Sequence, residues 1–139
     1  MTLEFINEVI IPSAIKVYKD LGPGHNEKIY HKAFVYELNA LGIIIDTEMN
    51  IIVKYTDSKG FTHNLESERI DIYIKDNNII LELKAIQRNI QAQEICQIKK
   101  YFNELNKLNI KVNHGVIINF MQPNSKDIPE SIEYKIIEN

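Results

Sequence analysis

A predicted β-hairpin constrains the fold of this chain more than any other feature of its sequence. Apolar and polar residues alternate along 68–75 and again along 79–84, and the Asp-Asn-Asn segment between them is typical of a turn. Side chains two positions apart on a strand share a face, so Glu82 and Lys84 are expected to point the same way. The hairpin therefore carries charged side chains on one face.

The register of this hairpin follows from the parity of its buried face. Six aliphatic side chains are expected to share that face: Ile70, Ile72, Ile74, Ile79, Leu81 and Leu83. A two-residue turn at Asn77-Asn78 satisfies this parity and would place Tyr73 opposite Glu82. Asp71 would then lie opposite Lys84. Two carboxylates and an amine would converge on the other face.

This charged cluster has more than one interpretation. An acidic residue followed by Glu-x-Lys can simply be the solvated face of a strand. The apolar run 79–81 and the isoleucines on either side of Asp71 instead favour a central strand that is covered on both faces. Buried carboxylates need a compensating cation, which a metal ion would supply. A buried ion pair between Asp71 and Lys84 in a structural or regulatory domain is a further alternative.

Composition narrows the class of protein. A chain of 139 residues with 45% apolar and 25% charged residues is large enough for a hydrophobic core and ordinary for a globular protein. Cys96 is the single cysteine, so an internal disulfide is excluded and a structural zinc site is disfavoured. No apolar run has the length of a membrane span and no signal-peptide pattern is found, so a cytoplasmic protein is expected. The net charge of −3 does not favour nucleic-acid binding.

The periodicity predicts an α/β protein with a mixed sheet. The expected elements are helices at 3–20 and 26–41, strands at 43–55, 61–75 and 79–85, a helix at 90–108, and strands at 112–120 and 132–137. Pro12 is expected to start a fresh helix or to kink the first one.

Two helix faces carry further candidate site residues. Glu27 lies in the first turn of the second helix, where a carboxylate also suits the helix dipole, and Tyr30 shares its face. Gln97 and Tyr101 lie four residues apart on the third helix, where an exposed polar pair is the simpler interpretation. A set of basic residues near Tyr101 could follow a phosphate backbone or form an ordinary solvated surface. This set contains Arg88, Lys99, Lys100, Lys107 and Lys111.

The motif Gly24-x-x-Glu27-x-x-Tyr30 resembles the signature of the bacterial GxxExxY proteins, a family of the PD-(D/E)XK nuclease superfamily. Further blocks match in the same order, from about Val17 to Phe120. They are Tyr36-Glu37-Leu38, Leu41-Gly42, Arg69-x-Asp71, Glu82-Leu83-Lys84, Gln97-x-x-x-Tyr101 and Gly115-Val-Ile-Ile-Asn119-Phe120. Glu68 departs from the family pattern, because many members carry an aromatic residue before the arginine.

The resemblance implies a PD-(D/E)XK nuclease-like core of αβββαβ type, with a mixed central sheet flanked by helices, in a single domain over residues 1–139. It implies relatives among restriction endonucleases, RecB-like nucleases and Holliday-junction resolvases. The expected activity is metal-dependent hydrolysis of phosphodiester bonds, with DNA favoured as the substrate. The alternative is a catalytically silent module that binds nucleic acid or protein. A homodimer is left open.

The resemblance also implies residue roles. Asp71 and Glu82 would bind one or two Mg²⁺ or Mn²⁺ ions, with the Leu83 carbonyl and Glu27 as further ligands. Lys84 would orient or deprotonate the attacking water and stabilise charge on the phosphate. Gln97 and Tyr101 would hold Lys84 or the scissile strand in place. Supporting or nucleic-acid-binding roles fall to the remaining candidates, Tyr30, Arg69 and Lys100.

Overall fold

The N-terminal third of the chain forms two helical segments. The computed structural model describes residues 2–139. Helix α1 (Thr2–Phe5) continues through a π-helical turn (Ile6–Ile10) into α2 (Ile11–Leu21). Pro12 lies in the first turn of α2, where a missing backbone N–H is tolerated, as expected for a proline that starts a fresh helix.

The second predicted helix is α3 (Glu27–Ala40). The Asn26 side chain caps it by accepting a hydrogen bond from the Ile29 N–H at 3.1 Å. Gly42, with φ of 78°, ends the segment, because a left-handed backbone suits glycine after a helix.

A four-stranded mixed sheet forms the centre of the fold. Its order is β3 (Ile72–Ile74), β4 (Ile79–Lys84), β5 (His114–Asn119) and β6 (Glu133–Glu138), and only the β4–β5 pair is parallel. Helices α2 and α3 pack on one face of the sheet, and α4 (Ala92–Lys107) packs on the other. The predicted α/β architecture with a mixed sheet flanked by helices is confirmed. The burial of β4 on both faces confirms that it is a central strand.

Two further strands form a separate antiparallel sheet, here called the arm. Strand β1 (Asn50–Thr56) pairs with β2 (Thr62–Arg69). The predicted turn at Ser58-Lys59-Gly60 joins them. A bulge occurs where Val53 pairs with Glu66 and the next pair is Lys54 with Asn64. The segment 43–49 was expected to be strand, but it contributes only a single bridge between Asp46 and Tyr73.

The strand predicted at 61–75 is in fact broken. Strand β2 ends at Arg69 and β3 starts at Ile72, with a bend at Asp71 between them. Ile70 consequently packs on the α4 side of the sheet, whereas Ile72 packs on the opposite side. The prediction that Ile70 shares the face of Ile72 was wrong, because the bend reverses the alternation at this point.

The hairpin register also differs from the prediction by two residues. The observed pairs are Ile74 with Ile79, Tyr73 with Ile80, and Ile72 with Leu81. The turn is longer than expected, because Lys75–Asn77 form a 3₁₀ turn and Asn78 adopts a left-handed conformation. The predicted pairs of Tyr73 with Glu82 and Asp71 with Lys84 are therefore wrong. An even shift preserves which side chains share a face.

Gly115 allows α4 to approach β5 closely, and we expect Gly115→Ala to be destabilising. An added Cβ would lie 2.7 Å from Ile98 Cγ2 and 3.0 Å from Phe102 Cζ. Overpacking of this kind typically costs about 1–3 kcal/mol. Thermal or urea unfolding measures the loss. In the Gly115→Ala/Ile98→Ala double variant, the clash with Cγ2 is absent. The stability losses of the two single variants should therefore sum to more than the loss of the double variant. Strict additivity would contradict the steric explanation.

None of the helices within residues 2–139 combines the length and the apolar character needed to cross a membrane.

Candidate functional site

The bend between β2 and β3 turns the Asp71 side chain toward β4. Its Oδ2 accepts a hydrogen bond from the Leu83 backbone N–H at 2.8 Å. The β3–β4 pairs end at Ile72 and Leu81, so the Leu83 N–H has no backbone partner on β3. The Asp71 carboxylate accepts its hydrogen bond instead. Asp71 is thus fixed beside Glu82 by backbone geometry.

Glu82 is a buried carboxyl group that lacks full compensation. Its side chain belongs to β4 and the residue is only 4% exposed. Burial and, after it, the negative charge of Asp71 together raise the pKa of Glu82 to about 9. The Oε1 atom is buried and has no hydrogen-bond partner among the described residues. Two adjacent carboxyl groups therefore retain a proton at neutral pH in the absence of a further cation.

Lys84 supplies positive charge at the exposed end of this pair. Its Nζ lies 3.5 Å from Glu82 Oε2, and the lysine is partly exposed while the glutamate is buried. The lysine charge lowers the pKa of Glu82, but burial and Asp71 outweigh this effect. A single lysine thus does not neutralise the two carboxylates. A buried ion pair between Asp71 and Lys84 would leave the negative charge of Glu82 without a partner.

Glu27 lies at the rim of the same cluster. Its side chain remains exposed at the start of α3, yet loss of surrounding water raises its pKa and the charge of Asp71 raises it further. Lys84 acts on it in the opposite direction. Asn26 supplies the helix cap, so the Glu27 carboxylate is not needed for that purpose.

The Leu83 backbone faces the same cluster. Its N–H points toward Asp71, and the N–H and C=O of one strand residue project from the same edge of the strand. The neighbouring Lys84 carbonyl instead accepts from the Phe120 N–H on the β5 side. This alternation directs the Leu83 carbonyl toward the edge occupied by Asp71.

Gln97 and Tyr101 approach the site from α4. Gln97 Nε2 donates to the Tyr101 hydroxyl at 2.9 Å. Burial raises the pKa of Tyr101, and the charges of Glu82, Glu68 and Asp71 raise it further. The phenol is therefore neutral and lies within the field of these carboxylates. The exposed polar pair, proposed above as the simpler interpretation, is wrong for Tyr101, because the residue is buried.

Tyr30 lies in the core and not in the charged cluster. It is fully buried, stacks on Phe120 with ring centroids 4.7 Å apart, and donates its hydroxyl proton to the Gly22 carbonyl at 2.8 Å. These contacts hold the turn that precedes α3. Tyr30 was expected either to support the site or to contact nucleic acid. Its burial excludes contact with nucleic acid and leaves the supporting role.

Several basic side chains near the site already have acidic partners. Lys100 Nζ lies 2.7 Å from Glu68 Oε1, and Arg69 lies 3.6 Å from Glu48. Arg88 makes two hydrogen bonds to Glu94, at 2.8 and 2.9 Å, and lowers the pKa of Glu94 to about 2. We conclude that Arg88 anchors the start of α4, whereas the sequence had left open a phosphate contact or an ordinary solvated surface.

Two residues have clear structural roles that the sequence did not predict. Glu68 binds Lys100 with one oxygen, while its Oε2 is buried and has no partner among the described residues. Asn119 is fully buried, and its side chain binds the Ile86 N–H and the Arg88 carbonyl, which fixes the loop after Lys84. A polar residue ending an apolar strand was the available signal for Asn119.

Two open grooves border the end of β4. One has a volume of about 410 Å³ and is lined by Lys84, Gln93, Glu94, Cys96, Gln97 and Lys100. The other has a volume of about 770 Å³ and is lined mainly by residues 85–88 and 122–124. The first groove opens onto Lys84, and the second lies beside the loop that follows β4.

The donor set suits a hard divalent cation. Carboxylate and carbonyl oxygens are the ligands that Mg²⁺ and Mn²⁺ prefer, and the unpaired Glu82 oxygen lacks a partner that such an ion would supply. Within residues 2–139, no three His, Cys, Asp or Glu side chains are already gathered as a metal cage. Ligands beyond Asp71 and Glu82 must therefore come from a shift of Glu27, from backbone carbonyls or from water.

Comparisons with known proteins agree with this fold. The crystal structure of SSO0001 is similar in fold, with a TM-score of 0.58 and 16% sequence identity over 99% of this chain. This chain spans 61% of the length of that one. No curated protein matches the sequence. The family model of the PD-(D/E)XK nuclease superfamily matches residues 4–130. The chain therefore belongs to the PD-(D/E)XK nuclease superfamily.

Proposed function

We propose that this protein is a metal-dependent nuclease that hydrolyses phosphodiester bonds in DNA. The observation that carries the proposal is the pair of carboxyl groups at Asp71 and Glu82, held together beside Lys84 at the end of a central strand. Glu82 is buried and its pKa is strongly raised, so keeping both groups ionised requires more positive charge than Lys84 provides. Membership of the superfamily supports the same chemistry.

In this proposal Asp71 and Glu82 hold Mg²⁺ or Mn²⁺, with the Leu83 carbonyl and Glu27 as additional ligands. A bound divalent ion would lower the pKa of a coordinated water and offset negative charge on the phosphate. The position of Asp71 depends on its hydrogen bond from Leu83, so the ligand set is organised by one strand and one bend. Glu27 approaches from α3, within the electrostatic reach of Asp71.

Lys84 is the proposed catalytic side chain for the water and the phosphate. Its amine lies at the exposed end of the carboxylate pair and lines the 410 Å³ groove. From there it orients the water and stabilises the charge that develops on the phosphate oxygens. Gln97 lines the same groove and binds Tyr101, so these two residues position the groove wall beside Lys84.

Finer assignments rest on the sequence motifs. We propose membership of the GxxExxY group from the motif Gly24-x-x-Glu27-x-x-Tyr30, whose tyrosine holds the turn before α3. The cytoplasmic location and the single domain over 1–139 remain predictions, and a homodimer remains open.

Divalent metal is expected to raise the melting temperature of the wild-type protein. A ligand that binds only the folded state at 100 times its Kd adds about 2.7 kcal/mol to the free energy of unfolding. Thermal unfolding with and without Mn²⁺ measures the shift. Asp71→Asn should lose most of it, whereas the control Asp127→Asn, in an exposed loop, should keep it. An equal response of wild type and Asp71→Asn would place the metal elsewhere.

Cleavage is tested in the same preparations. Labelled linear duplex, single-stranded and branched DNA, and RNA, are incubated with Mg²⁺, Mn²⁺ or EDTA. Wild-type protein should cleave DNA with metal, and EDTA or Asp71→Asn should abolish the cleavage. If metal binds at Asp71 and nucleic acid also binds but no substrate is cut, the silent binding module replaces the nuclease. If neither metal nor nucleic acid binds, the structural-domain interpretation replaces both.

A further inference from the structure

The basic side chains beside the candidate site are largely committed to carboxylates. Lys100 lines one groove and Arg88 lines the other, and each has an acidic partner: Glu68 at 2.7 Å and Glu94 at 2.8 Å, respectively. Arg69 at the end of β2 is paired with Glu48.

These pairs restrict how the site can bind nucleic acid. Duplex DNA is bound largely through phosphate contacts, which require available cations on the protein. If Lys100 bound a phosphate, Glu68 would lose its partner. This loss would be costly, because the Oε2 atom of Glu68 is already buried and has no partner among the described residues. The net charge of −3 adds no compensating attraction. A substrate with many phosphate contacts therefore fits this surface poorly.

The arm offers a different kind of contact. Tyr55 is 57% exposed on β1, and His63 lies directly opposite it on β2. Directly paired residues share a face of the sheet, so the two rings present an exposed aromatic surface. The turn beneath them is ordered by Asp57, which accepts hydrogen bonds from the Lys59 and Phe61 N–H groups and contacts the His63 ring at 2.8 Å.

This aromatic surface lies on the same side of the arm as the candidate site. Tyr55 and Ile51 are four residues apart on β1, so their side chains lie on the same face of the strand. Ile51 is buried in the apolar cluster that contains Tyr101. Ile51 pairs with Glu68, whose carboxylate contacts Lys100 at the groove. Four residues of strand separate Tyr55 from Ile51 by about 13 Å. An extended strand of a few nucleotides covers the distance from Tyr55 to Ile51, where the paired Glu68 contacts Lys100 at the groove.

We propose that the substrate is single-stranded DNA, whose unpaired bases stack on Tyr55 while the scissile phosphate reaches Asp71 and Glu82. This inference rests on the proposed nuclease function. Stacking adds affinity that does not depend on phosphate contacts, and only unpaired bases can reach the ring. A fully paired duplex has no free base to offer the ring.

The test is binding of a fluorescent 20-nucleotide oligo-dT and of a blunt duplex of equal length, with Ca²⁺ in place of Mg²⁺. Tyr55→Ala should weaken binding of the single strand by about 10-fold or more, since each stacked base contributes substantially. Tyr55→Phe, which keeps the ring, should bind within about two-fold of wild type. The matched control is Tyr134→Ala, a partly exposed tyrosine on β6 at the far edge of the sheet. The salt dependence should be unchanged in Tyr55→Ala, because stacking releases no counterions.

The remaining outcomes separate this inference from the proposed function. Cleavage of duplex in preference to single strand, with loss in Asp71→Asn, would keep the nuclease and overturn the single-strand assignment. Tyr55-dependent binding without any cleavage would keep the assignment and remove the nuclease. Absence of binding to all strands, or a change of oligomeric state in Tyr55→Ala with no change in binding, would overturn the role of Tyr55.

Discussion

Lys84→Met is expected to lower single-turnover DNA cleavage by about 100-fold or more while metal binding persists. Methionine keeps a long apolar stem where the lysine chain packs, so the change removes mainly the charge and the amine. The loss should appear in the rate at saturating Mn²⁺ and not in the affinity for metal, because the proposed ligands are carboxylate and carbonyl oxygens.

Two comparisons sharpen this result. Lys99→Met alters an exposed lysine of α4 and should leave cleavage nearly unchanged. Asp71→Asn should instead lose metal binding and cleavage together. Binding of uncleaved DNA in Ca²⁺ verifies that the Lys84 variant still recognises substrate. Cleavage by Lys84→Met at close to the wild-type rate would remove this residue from the mechanism.

Glu82→Gln is expected to stabilise the metal-free protein and to abolish its response to Mn²⁺. The raised pKa of Glu82, to about 9, means that the folded protein holds a proton that the unfolded chain releases near pH 4.5. The wild-type protein therefore loses stability as pH rises between these two values. At pH 7 this loss is on the order of 3 kcal/mol, and a neutral glutamine does not incur it.

The pH dependence provides the measurement. Urea unfolding of the metal-free wild type from pH 5 to 9 should show falling stability, and Glu82→Gln should show a flatter profile. Glu8→Gln, at an exposed position of the first helical segment, serves as the control for loss of one negative charge. The melting shift with Mn²⁺ should grow with pH in the wild type, because metal binding displaces a proton. A steeper pH dependence in Glu82→Gln would contradict the assigned burial.

The sequence predicted the charged hairpin well because strand parity is a robust constraint. An even error in register kept Glu82 and Lys84 on the expected face of β4, whereas Asp71 reaches Glu82 through the bend before β3. The 3₁₀ turn at Lys75–Asn77 could not be foreseen, since Asp-Asn-Asn fits several turn types equally well. The bend at Asp71 was hidden too, because the alternation of residues on either side of it appears unbroken.

The ion pairs and core contacts between residues far apart in the chain were also not predicted from the sequence. Lys100 looked like a phosphate contact, but its partner Glu68 is 32 residues away and belongs to the arm. Tyr30 shares a helix face with Glu27, yet the helix turns its ring into the core against Phe120. Long-range contacts of this kind depend on tertiary packing, which residue spacing along one helix does not specify.

The bend at Asp71 has a consequence for how such proteins can diversify. The arm and the central sheet are separate hydrogen-bonded ladders that meet at this residue. Insertions, deletions or exchanged side chains in the arm can therefore accumulate without altering the pairing of β3 with β4. Remodelling about twenty residues of the arm would therefore leave Asp71, Glu82 and Lys84 in place on the central sheet and the bend before it.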